Sequence, residues 1–128
     1  MITSVSTICI FVEDQDRAKA FYRDMLGFEV RADNPLFPGA EQRWLAVAPA
    51  GESTEIVLYE MDGNWEHYRA AMGKSQAVTF EVDDLDETYE GLSAKGVAFA
   101  SEPETQAWGR FATIIDSEGN RLLLTEVG

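Results

Sequence analysis

Short apolar stretches, rich in β-branched residues, twice give way to a helical pattern along this chain. Residues 2–12 are dominated by Ile, Val, Thr and Phe, the composition of a buried or half-buried strand. Asp14 stands where a helix cap belongs, and Ala18, Phe21, Tyr22, Met25 and Leu26 then recur at spacings of three and four. Gly27 closes that stripe as a natural C′ residue. Seventy positions on, the pattern returns. Gln76–Val82 reads as a strand, Asp84 and Glu87 as a capping box, and Leu85, Tyr89 and Leu92 as a buried stripe ending at Gly96. The segment Val12-Glu13-Asp14-Gln15-Asp16 is thereby matched by Val82-Asp83-Asp84-Leu85-Asp86.

Three further strands follow each helix. In the first half they are Phe28–Ala32, Arg43–Ala48 and Thr54–Glu60, with Asp33–Gly39 and its two prolines read as a loop. In the second half they are Val97–Ala100, Arg110–Asp116 and Arg121–Val127, the last two joined by the hairpin signal Asp116-Ser117-Glu118-Gly119-Asn120. A short helix from Trp65 to Met72, capped by Asn64, bridges the halves. The expected architecture is a single α+β domain over 1–128: two βαβββ modules, 1–62 and 75–128, joined by a bridging helix within 63–74. Two curved sheets would share a concave face, with the helices outside. A ferredoxin-like α/β sandwich competes, but it needs fewer strands after each helix.

Composition narrows the functional classes. A chain of 128 residues with 45% hydrophobic positions can bury a sizeable core without a metal or a disulfide to hold it. The formal charge of −13 comes without a basic patch, which excludes phosphate-neutralising contacts with nucleic acid and disfavours an anionic membrane surface. The lone Cys9 allows no intramolecular disulfide and fits a reducing compartment. No basic leader and no apolar run near the roughly 20 residues of a membrane span are present, so a cytoplasmic location is expected. His67, the only histidine, leaves any serine without a His–Asp pair to support it. Walker, dinucleotide-binding and Cys-x-x-Cys patterns are absent.

Four segments carry a resemblance. Phe11–Asp14 with Ala20–Phe28, then Val82–Asp86, then Trp108-Gly109-Arg110, then Asp116–Asn120 together resemble the vicinal oxygen chelate superfamily. That superfamily includes glyoxalase I, extradiol dioxygenases and the bleomycin- and fosfomycin-resistance proteins. The resemblance implies a glyoxalase/bleomycin-resistance-like fold, a homodimer, and in the enzymes a divalent metal held by one His or Glu from each of four strands. The corresponding positions here are Thr7, Ala77, Val57 and Leu123. None offers imidazole, carboxylate or thiolate, so no metal and no cofactor are expected there.

Strand alternation sends Thr7 and Cys9 to the concave face, with Ala77, Thr79 and Glu81 from the second module. Val57 brings Tyr59, Leu123 brings Thr125, and the central strands add Trp44, Ala46, Phe111 and Thr113. The lining is mostly apolar with scattered hydroxyls, suited to an uncharged or cationic organic molecule. Aromatic residues at strand ends, Trp108 among them, can sandwich a planar ligand. The leading expectation is therefore a metal-independent protein that binds a small hydrophobic or aromatic molecule, in the manner of bleomycin-resistance sequestering proteins. Thr7, Cys9, Val57, Tyr59, Ala77, Thr79, Trp108, Arg110 and Leu123 would line or edge the site, and no residue is assigned a catalytic role. The alternative is a metal-dependent lyase, isomerase or dioxygenase with displaced ligands among Glu55, Glu60, Glu81, His67 and Cys9. A third is a regulatory partner whose concave face is filled by its own aromatic side chains.

Overall fold

The computed structural model of the chain describes residues 1–60 and 76–126, with Gln76 and Ala77 described through their backbone alone. The bridging helix expected at 65–72, and His67 with it, lie outside the described residues. The chain divides into two compact units, Met1–Ala70 and Ala71–Gly128. Each carries its own sheet.

In the first unit, β1 (Thr7–Val12) leads through α1 (Gln15–Ala20) and a π-helical turn (Phe21–Met25) to β2 (Glu29–Pro35), β3 (Arg43–Ala48) and β4 (Glu55–Glu60). The sheet order is β1-β4-β3-β2, with β1 parallel to β4 and the other pairs antiparallel. The second unit repeats this logic. Strand β5 (Gln76–Glu81) leads through α2 (Leu85–Ala94) to β6 (Ala98–Phe99), β7 (Glu104–Gln106), β8 (Gly109–Ile115) and β9 (Arg121–Glu126). Its order is β5-β9-β8-β6, with β7 also on β8 and β5 parallel to β9. The fold is α+β with two sheets, and the single sheet of a ferredoxin-like sandwich is set aside.

Local chemistry explains the repeat. Asp14 and Asp84 sit in extended backbone, and each side chain accepts a hydrogen bond from the amide three residues on, Arg17 N and Glu87 N, at 3.0 Å. These bonds satisfy amides that have no partner inside the helix. Gly27 (φ 75°) and Gly96 (φ 92°) then turn the chain out of the helix in the left-handed region. Ile10, Val12, Leu45, Val47, Ile56 and Leu58 are buried on the face where α1 packs, together with Ala18 and Tyr22. In the second unit Leu122, Leu124, Ala112 and Ile114 are buried with Leu85 of α2. Tyr89 and Leu92, expected in the same stripe, are only half-buried. No described helix is long and apolar enough to cross a membrane.

Three elements depart from the sequence expectation. Strand β2 runs to Pro35, through residues read as loop, because Asp33, Asn34 and Pro35 pair with Leu45, Trp44 and Arg43. It is an edge strand, where the missing proline N–H costs no ladder bond. Strand β7 was not expected, since three exposed residues give no hydrophobic alternation. The first helix is interrupted by a wider turn in which Leu26 N donates to Phe21 O at 3.2 Å, a spacing of five residues.

Candidate functional site

Each sheet has one face against its helix and one face turned away from it. In the first unit the helix-free face follows from register. Thr7 lies beside Glu55, Cys9 beside Val57, and Phe11 beside Tyr59, while Val57 also pairs with Ala46. The Phe11 and Tyr59 rings meet edge-to-face at 6.4 Å. Trp44, two residues from Ala46 and so on the same side, is 41% exposed. Val57 is buried and forms floor rather than wall. Cys9 is exposed, but partial burial pushes its thiol up from the ordinary value. The raised value disfavours the thiolate.

In the second unit the helix-free face carries two rows across β5, β9 and β8. One is Thr79, Leu123 and Thr113; the other is Glu81, Thr125 and Phe111. Thr79 and Glu81 are exposed, Leu123, Thr125 and Phe111 half-buried. Trp108 stacks on Phe111, with ring centroids 5.9 Å apart and planes 25° from parallel, and remains 52% exposed. Between them Gly109 adopts φ 148°, a conformation that glycine reaches freely, as the chain enters β8. Ala77 falls in β5 at a register shift between Gln76 and Val78, where the ladder gives it no partner on β9.

Arg110 does not belong to this face. Its guanidinium makes a two-pronged contact with Asp86 in the first turn of α2, both bonds 2.9 Å, so it points to the helix side. Its cross-strand partner Glu126 points the same way and accepts from Leu85 N at 2.7 Å. The Arg110 hydrogen bonds hold the Asp86 carboxyl below the usual carboxylate range. The first unit has a counterpart, because Arg43 donates to Asp16 at 2.9 Å, and Asp16 and Asp86 are equivalent in the repeat. Arg43 and Lys19 also both reach Asp33, at 2.7 Å each. Burial alone would raise the Asp33 carboxyl, but the two cationic donors outweigh it and hold the group below its ordinary value.

Gln15 is a structural residue that the sequence reading did not single out. It is buried, and its amide donates to Arg43 O at 2.8 Å and Leu58 O at 2.9 Å while accepting from Arg43 N at 3.0 Å. The β3–β4 ladder covers Ala46↔Val57 and Val47↔Ile56, so Gln15 bridges the two strands beyond the end of that pairing. The signal was a polar residue at the place where the second module has Leu85.

Could these faces hold the divalent metal of the enzyme relatives? Val57 has Cys9 and Ala46 as register neighbours, and Leu123 has Thr79 and Thr113. Glu55 lies 3.7 Å from the Arg31 guanidinium, and Glu60, alternating with Leu58, belongs to the helix side. Among the described residues no three of His, Cys, Asp or Glu come together as a metal site. The donors among the described residues do not fit such an ion.

Residues 4–124 match the Glyoxalase/Bleomycin resistance protein/Dioxygenase superfamily, and the chain belongs to that superfamily. It is 39% identical to the protein YetH of Bacillus subtilis (strain 168), over 98% of this chain and all of that one. Among solved structures it is similar to UcmS2, with 36% identity, 98% of each chain covered and a TM-score of 0.87. It is also similar to TnmS3, an antibiotic binding protein from Streptomyces sp. CB03234, with 33% identity, a TM-score of 0.82 and coverage of 99% of this chain and 98% of that one. The two-sheet architecture is the glyoxalase/bleomycin-resistance fold.

Proposed function

We propose that this protein binds and sequesters a small hydrophobic or aromatic organic molecule on the helix-free sheet faces, without a metal and without transforming it. The observation that carries this reading is the half-exposed Trp108 ring stacked on Phe111 beside a surface of Leu123, Thr79 and Thr125. An aromatic pair with a free face accepts a further ring by offset stacking, and the hydroxyls around it orient polar substituents. The likeness to an antibiotic binding protein supports a gripping role, as does the poor donor set at the superfamily's metal positions. In the first unit Thr7, Cys9 and Tyr59 belong to the proposed surface of that sheet, with Val57 beneath them. In the second unit Thr79 and Leu123 belong to the surface of the other sheet, with Ala77 on the same strand as Thr79, and Arg110 is left out. A homodimer and a cytoplasmic location are part of the same proposal.

The test is a titration with a neutral polycyclic aromatic, methyl-anthracene, followed by tryptophan fluorescence and by thermal shift. Saturable binding with a rise in Tm is expected. Trp108→Ala should weaken it about tenfold, the scale of one lost stacking partner with its buried area. Absence of saturable binding to the wild-type protein would overturn the reading.

A further inference from the structure

Resting on that reading, we propose that the second unit's sheet face selects aromatic molecules that carry a protonated amine, with the Glu81 carboxylate as the receptor. Register places Glu81, Thr125 and Phe111 side by side on β5, β9 and β8. Two inter-strand spacings separate the ends of this row, about 10 Å between the Glu81 and Phe111 backbones. The carboxylate thus stands across one hydroxyl from the Trp108–Phe111 stack.

Three observations bear on Glu81, which shares its row with the exposed Glu104 beside Phe111 on β7. The first is commitment. Asp86 is held by Arg110, Glu126 by the Leu85 amide and Glu55 lies against Arg31, whereas no cation among the described residues pairs with Glu81. The second is the repeat, in which Glu81 falls on the place that Phe11 takes in the first unit, where a ring meets Tyr59. A carboxylate thus stands in the second unit where the first has a ring, and Thr125 stands where the first has Tyr59. The third is potential. Glu81 also borders a groove of about 510 Å³ lined by Asp83, Asp84 and Glu87, with Lys95 as its cation. Negative charge on that flank repels anionic ligands and attracts cations. A ring face beside a carboxylate offers a protonated aromatic amine both stacking and charge pairing, and the ring faces themselves attract the cation.

The experiment compares aminomethyl-anthracene, protonated at neutral pH, with methyl-anthracene on the wild-type protein, Glu81→Gln and Glu90→Gln. Glu90 is an exposed position of α2 that supplies the same change in net charge. The amine is expected to bind the wild type three- to fivefold more tightly, the scale of a partly solvated ion pair. Glu81→Gln should abolish that preference and leave methyl-anthracene unchanged, and Glu90→Gln should leave both as they were. Equal wild-type binding of the two probes, or a preference that survives in Glu81→Gln or falls equally in Glu90→Gln, overturns the inference while sequestration stands. Failure of both probes to bind overturns the inference together with the function on which it rests.

Discussion

Replacing Gln15 by alanine is expected to lower the unfolding free energy by about 3 kcal/mol, from the desolvation cost of buried backbone groups left without partners. One short amide closes three hydrogen bonds, two with Arg43 and one with Leu58, beyond the end of the β3–β4 pairing. Gln15 is only 3% exposed, and its bond to the Leu58 carbonyl lies in the interior. Gln15→Leu matches the residue at the equivalent place in the second unit, yet it should also destabilise. An apolar side chain there fills the volume but leaves the same carbonyls orphaned. Urea denaturation checks this through the midpoint at constant slope. A loss below 1 kcal/mol would show that the β3–β4 end does not depend on the amide bridge.

Tyr22→Ala should cost more, about 3–5 kcal/mol, as for other large-to-small changes of a fully buried ring. Tyr22 is 0% exposed, within 5.5 Å of the Phe21 ring and 5.9 Å of the Phe28 ring. Its own carbonyl accepts from Phe28 N at 2.9 Å as the chain leaves the π-helical turn. Removing the ring opens a cavity under the helix and loosens the one turn whose spacing departs from an α-helix. Domains of this size have about 5–15 kcal/mol in reserve, so the variant should melt far below the wild type. Calorimetry would contradict the packing described here if Tm fell by less than about 3 °C.

Much of the architecture was legible because it rests on local rules. Two capping aspartates, two glycines in the left-handed region and the apolar runs of β1, β4, β8 and β9 each act within a few residues, and together they define the repeated unit. What escaped depends on partners distant in sequence. Strand β7 exists only because β8 offers it an edge, and β2 extends through Asn34 and Pro35 because β3 continues alongside. Gln15 is a polar residue in an apolar place, and only the strands that it bridges explain it. Arg110 shows a rule left unapplied. Once Phe111 and Thr113 are assigned to the helix-free face, period two sends Arg110 to the opposite side, and the Asp16/Asp86 equivalence offers its partner. For the surface itself, the sequence supplied residue types at the right parity, while the stack of Trp108 on Phe111 required a turn geometry that composition does not encode.

Under the proposed function this scaffold grips its ligand with surface alone, where the superfamily's enzymes use a coordinated cation. The most direct measurement is the affinity for methyl-anthracene of protein dialysed against a strong chelator, compared before and after addition of zinc, nickel, manganese or iron(II). Unchanged affinity throughout, with well under one equivalent of metal per chain in the purified protein, is the predicted result. Binding that disappears on chelation and returns with one of these ions would contradict it.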